Sequence, residues 1–173
     1  DLRLSRGLGD VYKRQDVETS NHLVDMIVDS AGQKGTGRWT VINALELGVA
    51  VPTITAAVNA RIMSGIKDER VAAAKELIGP TGKCKGDTQA MINKVRDALY
   101  CSKICSYAQG MALLAKASQD FNYNLNLGEC ARIWKGGCII RAGFLNKIKK
   151  AFDDNPGLAN LLLAPEFKQT ILD

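Results

Sequence analysis

The stretch TQAMINKVRDALYCSKICSYAQGMALLAKASQD, residues 88–120, is the longest helical pattern in the sequence and decides the fold class. Apolar side chains recur along it at spacings of three and four, with one step of five, as on one face of a helix. These positions are Ile92, Val95, Leu99, Ile104, Ala108, Met111 and Ala115. A helix of about 30 residues spans roughly 45 Å at about 1.5 Å per residue. The stretch therefore predicts a long helix against which other helices pack.

A second long helix is predicted from Asn126 to about Phe152. Asn126 and Glu129, three residues apart, resemble a capping box at its start. Gly136 and Gly137 lie in its middle, where each glycine costs about 1 kcal/mol relative to alanine. No alternating strand pattern and no hairpin turn is found along the chain. The predicted fold is all-α: two long antiparallel helices with shorter helices packed around them.

The composition is that of an ordinary globular domain and excludes several classes of protein. The 173 residues suit one domain, and no run of 18 apolar residues predicts a membrane span. Five cysteines without regular spacing indicate reduced thiols and a cytoplasmic location. The net charge of +5 favours acidic small molecules over a dedicated nucleic-acid surface. Cys101 and Cys105 have no histidine or third cysteine at ligand spacing, so they are predicted to be packing thiols rather than a metal site.

The first 15 residues look different from the rest of the chain. They lack a helical stripe and carry four arginine or lysine residues without pattern. They are interpreted as a leader, a cloning artefact or translated non-coding sequence, or else as a flexible basic arm. The predicted domain, all-α, spans residues 16–173.

A Gly-rich stretch, SAGQKGTGRWT at residues 30–40, offers a candidate anion site. Thr36 is predicted to cap a helix that ends near Gly48, and the unpaired backbone N–H groups of its first turn carry partial positive charge. Gly35 and Gly37 permit close approach to the backbone, and Lys34 adds a full charge. The spacing matches neither a Walker loop nor the dinucleotide fingerprint. Two interpretations stay open: a cradle for phosphate or carboxylate, or merely a turn with a cap.

Arg61 is the second candidate residue. A helix predicted from Pro52 to about Ser64 has an apolar face on which Arg61 also falls, three residues after Val58. A guanidinium directed towards a core requires a partner. Arg61 therefore either extends to solvent at the edge of the stripe or reaches an anion in a cleft.

These residues, with three further motifs, resemble a known family. SAGQKGTGRWT is followed in order by Arg61 with KDER (67–70), ALY (98–100) with SYAQG (106–110), and WKGGCIIR (134–141). Together they resemble the central part of the C-terminal all-α domain of 6-phosphogluconate dehydrogenase (decarboxylating). The resemblance runs from about Asp16 to Asp173.

The resemblance implies a function and a site. The family oxidises 6-phosphogluconate with NADP and decarboxylates the product to ribulose 5-phosphate, and it works as a homodimer. Its phosphate-binding lysine, threonine and arginine fall on Lys34, Thr36 and Arg61. NADP is bound mainly by a domain that has no counterpart in this chain, and no catalytic residue of the family falls within it.

Three functional hypotheses follow. The first is a fragment of this enzyme that supplies the substrate-phosphate site and dimer core, and is inactive alone. The second is a non-catalytic helical module that binds anions or dimerises. The third, nucleic-acid binding, would require a clustered basic face. Two long helices taken from a dimer core would expose a large apolar face, so self-association is also expected.

Overall fold

The computed structural model of the protein describes residues 14–80 and 86–172. These residues form seven α-helices and two short 3-10 turns, and their only strand-like feature is an isolated bridge between Gln15 and His22. The helices are α1 (Thr36–Glu46), α2 (Pro52–Gly65), α3 (Lys67–Glu76), α4 (Thr88–Phe121), α5 (Leu127–Ile133), α6 (Leu145–Asp154) and α7 (Pro165–Leu172). The 3-10 turns are Leu23–Met26 and Leu161–Leu163. The predicted all-α class is confirmed.

Helix α4 is the long helix that the apolar periodicity predicts. It contains 34 residues, about 51 Å at about 1.5 Å per residue. The Asp87 side chain caps its start by accepting a hydrogen bond from the Gln89 N–H at 2.9 Å. Asn122 ends it in the left-handed conformation, with φ of 56°.

The second long helix is wrong as predicted, because the segment from Asn126 to Phe152 forms two shorter helices, α5 and α6. Asn126 does cap α5: its side chain accepts from the Glu129 N–H at 2.9 Å. The helix ends before Gly137, which has φ of 66°, a left-handed conformation that glycine adopts without strain. The two central glycines therefore mark a break between helices instead of a close contact within one helix.

The two shorter helices pack against each other as an antiparallel pair. At Gly128, near the start of α5, a Cβ atom would lie 2.5 Å from Asp153 Oδ1 and 3.4 Å from the Lys149 carbonyl oxygen, both near the end of α6. Lys149 also forms an ion pair with Glu129 at 3.3 Å. A side chain at position 128 would therefore displace the Asp153 carboxylate.

The hydrophobic core lies around the second half of α4. The Tyr107 hydroxyl donates to the Ile140 carbonyl and ties the segment between α5 and α6 to this helix. Phe144 packs edge-on against Tyr107, with ring centroids 4.9 Å apart. The buried cluster consists of Ile104, Ala108, Met111, Ala131, Phe144, Leu145, Ile148, Phe152, Leu161, Ala164 and Phe167.

No residue of α4 before Ile104 is buried. Ile92, Val95 and Leu99, which begin the predicted apolar stripe, are 53%, 60% and 68% exposed. The N-terminal part of the apolar stripe on α4 is therefore not covered by other described residues. None of the helices in the described part of the chain is long and apolar enough to span a membrane.

Helix α2 is tied to α4 by a pair of hydrogen bonds. The Thr53 N–H donates to Gln109 Oε1 at 3.1 Å, and Gln109 Nε2 donates to Thr53 Oγ1 at 2.9 Å. Pro52 occupies the first turn of α2, as predicted, because proline lacks the N–H that would be unpaired there. This connection joins the Gly-rich stretch to the core.

At the C-terminal end, Pro165 begins helix α7. The first helical position suits proline for the same reason as in α2. At the other end, residues 1–13 of the predicted leader lie outside the described residues. The Leu23 N–H donates to the Arg14 carbonyl at 2.8 Å, and Gln15 forms the isolated bridge with His22.

Candidate functional site

The Gly-rich loop, residues 29–35, leads directly into α1. Thr36 is wrong as the predicted N-cap, because Gly35 takes that position and Thr36 is the first helical residue. Gly35 has φ of 107°, which glycine adopts readily, so the helix begins one residue earlier. The Trp39 indole covers Gly35, whose Cβ position would lie 3.3 Å from Trp39 Cζ2.

Arg61 on α2 reaches this loop. Its Nε–H donates to the Gly32 carbonyl at 2.8 Å, two residues before Lys34. Val58, one turn earlier on α2, packs against the start of α1, since a Cβ on Gly37 would lie 3.1 Å from Val58 Cγ2. The terminal nitrogens of Arg61 make no hydrogen bond to the described residues. The guanidinium is thus oriented by one nitrogen and offers the other two to a ligand.

Lys34 and Thr36 complete the predicted set, and both side chains are exposed. Within the described part of the chain, Lys34 makes no ion pair. The Thr36 carbonyl accepts from the Thr40 hydroxyl at 2.8 Å, which is an ordinary contact within α1. The backbone N–H groups of the first turn of α1 are left without intrahelical partners. The loop therefore carries Lys34, leads into a helix N-terminus and is contacted by Arg61 from α2, and this arrangement suits an anion.

Ser64 holds the middle of the loop. Its hydroxyl accepts from the Ala31 N–H at 3.1 Å and donates to the Arg61 carbonyl at 2.7 Å. One hydroxyl therefore connects the loop backbone to the helix that carries Arg61.

Asp29 anchors the beginning of the loop to α3. Its carboxylate pairs with Lys67 Nζ at 2.6 Å and with Arg70 Nη1 at 3.1 Å. Hydrogen bonds from Lys67 and then Arg70 lower the pKa of Asp29 to about 2. Arg70 Nη2 also donates to the carbonyls of Asp29 at 3.1 Å and Ser64 at 3.2 Å. The carboxylate stays ionised at neutral pH, and Arg70 bridges the loop and the end of α2.

The sequence prediction missed Asp29, Ser64, Lys67 and Arg70 as parts of the site. Arg70 and Asp29 are 41 residues apart in sequence, so no local spacing predicts their contact. Two signals were available: Arg61 and Ser64 lie three residues apart on a helix and so share a face, and Lys67 and Arg70 belong to the KDER motif.

Other candidate chemistry lies away from this loop. Cys101 and Cys105 are half-buried free thiols. The pKa of Cys105 is raised, mainly by burial and to a smaller extent by the neighbouring Cys101. Among the described residues no group of three or more side chains is placed to hold a metal ion. A cavity of about 1000 Å³ beside the C-terminal end of α4 is lined by both polar and apolar residues, such as Gln119 and Phe152, and by none of the three predicted site residues.

Comparison with known proteins identifies relatives over nearly the whole chain. The family profile described as "6-phosphogluconate dehydrogenase, C-terminal domain" matches residues 6–173. A protein of Synechocystis sp. named "6-phosphogluconate dehydrogenase, decarboxylating" is 71% identical over 164 residues, which are 95% of this chain and 34% of the relative. A protein of the same name from Synechococcus elongatus is 74% identical over 162 residues, 93% of this chain and 34% of that relative.

A solved structure agrees with the helical architecture. It is described as Plasmodium falciparum 6-phosphogluconate dehydrogenase in its apo form, in complex with its cofactor NADP+ and in complex with its substrate 6-phosphogluconate. It superimposes with a TM-score of 0.87 at 42% identity and covers 98% of this chain and 37% of that chain. This chain therefore spans about a third of the length of the curated relatives it matches.

Proposed function

Because the chain belongs to the family of the 6-phosphogluconate dehydrogenase C-terminal domain, we propose that it is part of an enzyme that oxidatively decarboxylates 6-phosphogluconate with NADP. The product is ribulose 5-phosphate, and the chain contributes the substrate-phosphate site and part of a dimer core. The names of the Synechocystis and Synechococcus relatives support the reaction. The substrate and cofactor named for the Plasmodium structure support the ligands.

The substrate phosphate is held by Lys34, Thr36 and Arg61. The observation that carries this assignment is the hydrogen bond from Arg61 Nε to the Gly32 carbonyl at 2.8 Å. It anchors a guanidinium on the same loop as an exposed lysine and a helix N-terminus. A dianionic phosphate can accept two N–H bonds from the free edge of the guanidinium, a charged bond from the ammonium and backbone bonds from the helix.

NADP is not assigned to any residue of this chain. The described residues form helices without the strand, Gly-rich turn and helix unit that binds dinucleotides, so they do not fit the coenzyme. The chain accounts for about a third of the relatives' length, and we assign hydride transfer and acid–base chemistry to the remainder of the enzyme.

The second copy in the proposed homodimer is expected against the exposed first half of α4. The apolar side chains of Ile92, Val95 and Leu99 are exposed there in a row at helical spacing. We place the enzyme in the cytoplasm, because Cys101, Cys105, Cys130 and Cys138 are free thiols among the described residues.

The test uses a chimeric enzyme in which residues 16–172 of this chain replace the matching segment of the Synechocystis relative. The Arg61→Ala variant should raise the KM for 6-phosphogluconate about 10- to 100-fold, because hydrogen bonds to a charged group are lost. The matched control is Arg132→Ala, since Arg132 is exposed on α5, away from the loop, and pairs with Glu129 within the same helix. Its KM should stay within about twofold of the parent value.

Two results would contradict the proposal. A folded chimera without turnover of 6-phosphogluconate would favour a helical module that binds anions without catalysis. An unchanged KM in Arg61→Ala would remove Arg61 from the phosphate site.

A further inference from the structure

We propose that Asp29, Ser64, Lys67 and Arg70 form a loop clamp that positions the Gly-rich loop for the substrate phosphate, with Asp29 and Arg70 as its principal positioning residues. The inference rests on the function proposed above. It adds residues that do not touch the substrate and act through Lys34 and Arg61.

Arg70 is the centre of the loop clamp. Its two terminal nitrogens donate to three oxygens: the Asp29 carboxylate at 3.1 Å, the Asp29 carbonyl at 3.1 Å and the Ser64 carbonyl at 3.2 Å. A planar guanidinium with donors in a fixed fork can satisfy this set, whereas a lysine ammonium cannot match its geometry. The side chain is 31% exposed, so these contacts are partly shielded from water.

The environment of Arg70 Nε indicates that the position of this side chain is set by the contacts of its terminal nitrogens. Arg70 Nε is buried and has no hydrogen-bond partner among the described residues. An unpaired buried donor is unfavourable. The bonds that the terminal nitrogens make to the loop and to α2 must outweigh that cost.

The contacts form a continuous path from Asp29 to Arg61. Arg70 bonds both Asp29 and the Ser64 carbonyl. The Ser64 hydroxyl bonds Ala31 and the Arg61 carbonyl. Arg61 returns to the loop at Gly32. Residues 29, 31 and 32 are thus fixed, and the next residues of the loop lead to Lys34.

Lys67 has a smaller part in the loop clamp. It pairs with Asp29 at 2.6 Å, but its side chain is 41% exposed and that of Asp29 is 59% exposed. An exposed pair contributes little because water and salt screen it. The bridging contacts of Arg70 therefore distinguish a positioning device from an ordinary surface ion pair.

The test compares Asp29→Asn and Arg70→Lys in the chimeric enzyme. Both variants should raise the KM for 6-phosphogluconate about 3- to 10-fold, with kcat and the KM for NADP within about twofold of the parent values. The inhibition constant of inorganic phosphate as a competitor should rise by the same factor. The matched control is Asp68→Asn, an identical change on α3 at an exposed residue without an ion pair to the loop. Lys67→Ala should raise KM less than Arg70→Lys.

The outcomes separate this inference from the function on which it rests. If Arg61→Ala raises KM and Asp29→Asn leaves it at the parent value, the loop clamp is overturned and the phosphate site stands. If kcat and kcat/KM fall together with the melting temperature, the contacts are only structural and the inference also fails. Should Arg70→Lys not fold, the exposed Asp29→Asn variant decides alone. If Arg61→Ala leaves KM unchanged, the phosphate site itself is refuted.

Discussion

Replacing Gly35 by alanine tests whether the conformation of the Gly-rich loop controls substrate affinity. Gly35 has φ of 107° and ψ of −37°, outside the regions that alanine adopts without strain. A residue forced into such a region costs about 1–3 kcal/mol. The new Cβ would also lie 3.3 Å from the Trp39 ring, which must shift by a few tenths of an ångström.

The backbone strain in Gly35→Ala should lower the affinity for 6-phosphogluconate by the same free energy. In the free enzyme the exposed loop relaxes to an unstrained conformation, and the substrate must restore the conformation that presents Lys34. About 1–3 kcal/mol corresponds to a rise in KM of about 5- to 150-fold for 6-phosphogluconate. The assay is steady-state kinetics of the chimeric enzyme, with thermal unfolding measured in parallel to show that the variant is folded.

Gly32→Ala is the matched control in the same loop. Gly32 has no positive φ, and nothing lies within 4 Å of its Cβ position. Its carbonyl, which accepts from Arg61, is unaffected by the change. The KM of this variant should stay within about twofold of the parent value. A parent-like KM for Gly35→Ala, or an equal rise for both variants, would refute the reasoning.

Three further predictions concern the dimer surface, the helix pair and pH. Leu99→Asp should abolish dimerisation of the chimeric enzyme in sedimentation velocity, because it places a charge on an apolar surface; a persistent dimer would exclude this surface as the interface. Gly128→Ala should destabilise the α5–α6 pair by about 0.2–1 kcal/mol in chemical unfolding, since its Cβ would lie 2.5 Å from Asp153 Oδ1 and the Asp153 side chain must leave its ion pair with Lys149; unchanged stability would contradict the close packing. The pKa of Asp29 is lowered to about 2, so its stabilising contribution is present above the unfolded value of about 3.9 and is lost as pH falls towards 2. The difference in melting temperature between the parent and Asp29→Asn should therefore shrink below about pH 4, and a constant difference would disprove the assignment.

The sequence predicted the elements whose signals are local. The apolar spacing of residues 88–120 predicted α4 because helix periodicity is written directly in side-chain order. The prediction of one second helix was wrong because the apolar periodicity continues through Gly136 and Gly137, whereas α5 already ends at Ile133 and Gly137 takes a left-handed φ in the connecting segment. Tertiary packing, which brings Gly128 against Asp153, decided the arrangement on either side of that break.

The candidate site shows the same division. Arg61 was identified because a cation on an apolar helix face needs an explanation, and its contact with Gly32 supplies one. Its role in binding an anion, as opposed to extending to solvent at the edge of the stripe, stays a prediction. Asp29 and Arg70 were missed because their contact depends on how α3 folds back on the loop, across 41 residues of sequence.

A structure of the chimeric enzyme with bound 6-phosphogluconate tests the central claim most directly. Phosphate oxygens should lie about 2.7–3.2 Å from a terminal nitrogen of Arg61 and from Lys34 Nζ, with the Thr36 hydroxyl or N–H at similar distance. A phosphate bound elsewhere, with Arg61 and Lys34 still directed to solvent, would contradict it.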